Sequence, residues 1–99
     1  MATAVKHSAR HNSVTVDYDR AVDVLYLTLG SPSLVEGTGL PRGVELDFSP
    51  LDGSPSGVTV IGYARNSWHD AVGDLADIAS SHLGVAPEPV LSAILSATR

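Results

Sequence analysis

The chain has 99 residues, a net charge of −5, 43% hydrophobic and 17% charged residues, and no cysteine. This is the composition of one foldable globular domain. It excludes disulfides, thiolate nucleophiles and cysteine-based metal centres, and its acidic body argues against a nucleic-acid surface. No apolar run approaches the ~18 residues of a membrane span, so a soluble, cytoplasmic chain is expected.

Residues 1–12, MATAVKHSARHN, show no period, carry Lys6 and Arg10 without an acid, and read as a flexible arm. The domain proper is placed at 13–99. SVTVDY alternates, with Val14, Val16 and Tyr18 on one side. After the short DRAV connection, VLYLTLG reads as a strand that is apolar on both faces. Leu25, Leu27 and Leu29 point one way and Val24, Tyr26 and Thr28 the other. SPSLVEGTGLPRG is a Gly/Pro/Ser-rich connection with a brief extended piece at Leu34–Glu36. VELDFS alternates with Val44, Leu46 and Phe48 inward and Glu45 and Asp47 outward. PLDGSPSG is a turn-rich loop and VTVIGYAR a further strand.

The period then changes to 3.6. In SWHDAVGDLADIASSHLG, residues Trp68, Val72, Leu75, Ala76, Ala79 and Leu83 share one helix face, while Asp70, Asp74 and Asp77 share the opposite one. Ser67 with Asp70 reads as a capping box, and Gly84 as a left-handed stop. The prolines of APEPV suit the first turn of a second helix, with Val90, Leu91, Ile94 and Leu95 as its apolar stripe. Short connections between strands favour a meander. The expected fold is therefore α+β: a three- to four-stranded antiparallel β-meander over 13–65, then two C-terminal helices within 67–98.

None of the chemical motifs is complete. Asp17, Asp19 and Asp23 match three positions of a calcium loop, but Ala21, Val22 and Thr28 break the rest. Asp19 and Asp23 read instead as turn-formers that accept backbone N–H bonds. GTGLPRG lacks the third glycine of a dinucleotide fingerprint, and GSPSG has Pro55 where a nucleophile would stand. His7 and His11 sit four apart without a helix signal. His69 lies beside Asp70, and His82 is in the last helical turn, where a cationic ring suits the dipole. No nucleophile or second converging group accompanies them, so no catalytic, cofactor or metal residue is assigned. The Asp70–Asp74–Asp77 stripe reads as a solvated helix face.

The residues Tyr18, Asp19, Asp23, Leu25, Tyr26 and Leu27 form a Y-D-x-x-x-D-x-L-Y turn and strand. With Val44, Asp47 and Phe48, and with Gly57, Val58, Val60, Ile61 and Ala64, the stretch 16–64 resembles the small prokaryotic domain-of-unknown-function family 2283. The third element departs from it, with Thr59 and Gly62 where that family has acids. The resemblance implies a compact antiparallel sheet and no established activity. It also implies an antitoxin-like or partner-binding role, because members of that family accompany small toxin-like genes.

The expected function is a non-enzymatic protein-interaction module that forms a homodimer. Its interface candidates are Val24, Tyr26, Tyr63 and Trp68, with core packing as the other use of the aromatics. An acidic partner of a small basic protein is the second hypothesis. The third is a small-molecule or metal-dependent enzyme subunit, with a ligand touching Trp68, His69 and Tyr63.

Overall fold

Valines and leucines at every second position give each strand one apolar face, and two amphipathic helices supply the surface that buries it. The computed structural model describes residues 2–6, 13–30 and 36–99. The strands are β1 (Ala2–Lys6), β2 (Ser13–Asp19), β3 (Val24–Leu29), β4 (Glu36–Gly39), β5 (Val44–Phe48) and β6 (Pro55–Ile61). The helices are α1 (Val72–Leu83) and α2 (Pro87–Ala97). Short 3₁₀ turns at Pro41–Gly43 and Trp68–Asp70 precede β5 and α1.

The α+β class is as expected, but the sheet is larger and its path different. It has six antiparallel strands in the order β1-β2-β3-β6-β5-β4. β3 pairs with β6, so the chain passes from β3 to the far edge and returns through β4 and β5. The last four strands therefore form a Greek key in place of a meander. The additional strands lie where the sequence carries no clean alternation. β1 occupies Ala2–Lys6, within the stretch expected to be a loose arm, and β4 reads EGTG. Both are recruited by pairing with a strongly patterned neighbour, since backbone hydrogen bonds ask little of side chains. The remaining arm residues 7–12, with His7 and His11, lie outside the described residues. So do Leu34 and Val35 of the predicted extended piece.

Val14, Val16, Leu25, Leu27, Val44, Val58 and Val60 are buried on one face of the sheet. Leu29 and Leu46 pack against the same core. The helices contribute Val72, Leu75, Ala76, Ala79 and Leu83 from α1 and Val90, Ala93, Ile94 and Ala97 from α2. The α2 stripe differs from the expected one: Ala93 and Ala97 lie inside, Leu91 is half-buried and Leu95 is exposed. Small residues are favoured on that side because they let the helix approach the sheet closely.

The expected capping box is absent. Ser67 is left-handed (φ 61°) and makes no side-chain cap bond; α1 starts later, at Val72, after the 3₁₀ turn. Its C-terminus ends as expected, with Gly84 left-handed (φ 70°) and donating its N–H to the Ser80 carbonyl. Pro87 opens α2 at its first turn. No helix among the described residues is long and apolar enough to cross a membrane.

Candidate functional site

The helices cover one face of the sheet and leave the other open. Register fixes what the open face presents, because directly paired residues share a face. One row runs Asp17–Tyr26–Thr59–Glu45, and its neighbour runs Thr15–Thr28–Gly57–Asp47. A third pairs Val24 with Ile61. Tyr26 is 42% exposed and Ile61 47%, with Val24 half-buried between them. An apolar strip thus lies on the same face as Asp17, Glu45 and Asp47.

Two of the four interface candidates lie on this face: Val24 and Tyr26. Tyr63 and Trp68 do not, since both are core residues of a single chain. Tyr63 packs edge-on against Tyr18 with ring centroids 5.4 Å apart. Trp68 donates its indole N–H to the Arg42 carbonyl at 2.9 Å, and the Arg42 guanidinium lies 3.9 Å from its ring centroid. Arg42 also donates to the Asn66 carbonyl at 2.7 Å, and Asn66 Nδ2 to the Ile61 carbonyl at 3.1 Å. These contacts tie the segment before β5 to the segment after β6 and leave Trp68 buried within the chain. The sequence marks an aromatic, but not the arginine and carbonyl that enclose it from 26 residues away.

The acids of the Y-D-x-x-x-D motif are structural, and one of them also reaches beyond its own turn. Asp19 Oδ1 accepts the Ala21 N–H at 3.0 Å, a local turn bond. Asp23, left-handed at φ 59°, reaches across the fold. Its carboxylate accepts the Tyr18 hydroxyl at 2.6 Å, the Ala64 N–H at 2.8 Å and the Arg65 N–H at 3.0 Å. Its backbone carbonyl accepts the N–H groups of Gly62 and Tyr63. One residue thereby fastens the β2–β3 turn to the segment leaving β6. Burial raises the Asp23 pKa, but the Tyr18 hydroxyl, the two N–H donors and the Arg65 charge outweigh it and hold the carboxyl below its ordinary 3.8. Burial, followed by the hydrogen bond to Asp23, pushes the Tyr18 hydroxyl up to about 12.

Glu45 and Asp47 face outward as expected, yet Asp47 is only 4% exposed. Its Oδ2 accepts the Thr59 hydroxyl at 2.7 Å. The hydrogen bond with Asp47, partial burial and the Asp47 charge all raise the Glu45 pKa. The Glu45 carboxyl lies over Gly37, in the space where a side chain at that position would sit.

The histidines do not converge. His69 Nε2 lies 3.6 Å from Asp70 with both side chains mostly exposed, a contact of little energetic weight. His82 is tied to β5: its Nε2 is 2.9 Å from the Asp47 carbonyl, and its ring meets Phe48 edge-on at 4.9 Å. That contact fixes α1 to the sheet. Among the described residues no group of three or more His, Cys, Asp or Glu is arranged to hold a metal ion. An open cleft of about 740 Å³ lies where Tyr18, Arg20 and Tyr26 approach Ser96 and Arg99; Trp68, His69 and Tyr63 do not line it. No protein-family model matches the chain, and comparisons with curated proteins and with solved structures gave no match.

Proposed function

We propose that this protein is a non-enzymatic protein-interaction module, acting in the cytoplasm, that self-associates through the open face of its sheet. The supporting observation is the exposed strip of Val24, Tyr26 and Ile61 on that face, opposite a face already covered by two helices. A small domain gains disproportionately from burying such a strip against another copy. The Tyr18–Asp23 bond gives the Y-D-x-x-x-D motif a physical purpose within this fold. Sedimentation at tens of micromolar tests the reading; about 8 kcal/mol of association holds a dimer together in that range. A dimer is expected, with monomers for Tyr26→Lys and Ile61→Lys; a wild-type monomer rejects self-association.

A second reading has its own observation. Asp17 and Glu45 flank the same strip, so the face also suits a basic protein partner, in the manner of an antitoxin. Co-purification of a small basic protein at low salt and its loss at high salt would favour this reading.

A further inference from the structure

Asp47 Oδ1 is buried and has no hydrogen-bond donor among the described residues. A carboxylate oxygen in that position is costly unless a donor reaches it. Glu45 is the neighbour on the same face, and its carboxyl lies over Gly37, the residue that pairs directly with Asp47. Two carboxylates only accept; a carboxylic acid and a carboxylate bond well. A proton on Glu45 therefore supplies the donor that Asp47 Oδ1 lacks.

Among the described residues no side chain is placed to donate to Oδ1. β4 contributes Gly37 and Gly39, and β6 contributes Gly57 and the hydroxyl of Thr59, which already serves Oδ2. β3 contributes Tyr26 and Thr28, with Asp17 of β2 beyond Tyr26. α1 packs on the other face, where His82 meets the backbone carbonyl of Asp47 and not its carboxylate. Arg42 is stacked on Trp68 and Arg65 lies against Gly62, both beyond the strand ends. Asp47 is the charged group that acts on Glu45.

We infer that Glu45 and Asp47 hold a single proton between them and that this proton sets the charge of the open sheet face. When it is bound, Glu45 stays over Gly37 and the pair carries one negative charge. When it is lost, the pair carries two, and Glu45 is repelled from its seat. A second copy docking on this face brings the same pair, so association is stronger on the acid side of the transition. This last step rests on the proposed docking face; the shared proton does not.

Carbon-detected NMR titration of the full chain reads the two carboxyls directly. In the wild type, Glu45 is expected to titrate above its ordinary 4.5. In Asp47→Asn the Glu45 midpoint should fall back to the ordinary value or below. If that variant fails to fold, Gly37→Ala, which pushes the Glu45 carboxyl aside, should give the same loss of shift. An ordinary Glu45 midpoint in the wild type, unmoved by either substitution, overturns the shared proton. Sedimentation on both sides of the midpoint tests the consequence separately. Several-fold weaker dimerisation above it, absent in Glu45→Gln, supports the charge switch. A shared proton with pH-independent association, or with monomers throughout, overturns the switch and leaves the proton in place.

Discussion

Asp23 and Asp47 are both acids set in one sheet, and their surroundings are opposite. Asp23 is surrounded by donors: one hydroxyl and two backbone N–H groups converge on its carboxylate. Asp47 has one hydroxyl and a neighbouring acid. The first arrangement favours the charged form and lowers a pKa. The second penalises it and raises the pKa of the partner. The same residue type is thus a fastener in one place and a proton holder in another, according to the supply of N–H and O–H groups.

Four predictions sharpen or break this contrast. The largest effect is expected for Asp23→Ala, which strands three donors and places alanine in a left-handed conformation. Denaturant unfolding should show a loss of roughly 3 kcal/mol. Asp23→Asn should lose less, because asparagine tolerates that conformation and still accepts one or two bonds. Equal losses for the two would mean that backbone strain, and not the carboxylate, sets the cost.

Next is the pH dependence of stability. Asp23 has a depressed folded pKa, so its contribution is present above 3.8 and is lost as pH falls through the folded value. Glu45 has a raised folded pKa, so its contribution is present below 4.5 and is lost as pH rises through the folded value. Thermal unfolding as a function of pH should give a maximum between the two transitions. Asp23→Asn should flatten the acid limb, and Glu45→Gln the other.

Tyr18→Phe should follow, at about 1 kcal/mol, since it removes one bond to a charged acceptor while keeping the ring against Tyr63. The midpoint of urea unfolding would report it. The smallest effect is expected for Asp47→Asn: a gain of roughly 0.5 kcal/mol at pH 8, because the amide can donate to ionised Glu45 while its oxygen keeps the Thr59 bond. A clear loss at pH 8 would show that the two acids are not in competition for a donor.

The parts of this fold legible in the sequence are those with a strong period. Val14–Val16–Tyr18, Leu25–Leu27, Val44–Leu46 and Val58–Val60 were readable as strands. The Val72–Leu83 face was readable as a helix, and Gly84 as its end. Ser67 misled because a hydroxyl three residues before an acid is a capping pattern only if the backbone there is extended, and a left-handed turn intervenes. Trp68 and Tyr63 looked like interface aromatics because burial by Arg42 or Tyr18 leaves no mark in sequence spacing. Glu45 and Asp47 were readable as outward-facing, but the burial of Asp47 on that face leaves no mark in the alternation.

The sequence by itself determined the layers: alternating and helical apolar patterns require an antiparallel sheet with helices on one face. It also determined that no thiol chemistry is available, because the chain has no cysteine. Only the tertiary structure decided the strand order, because which edges meet depends on pairings between β3 and β6 that leave no local trace. It also decided the fate of each acid, because a carboxyl takes its character from donors brought up to 42 residues along the chain.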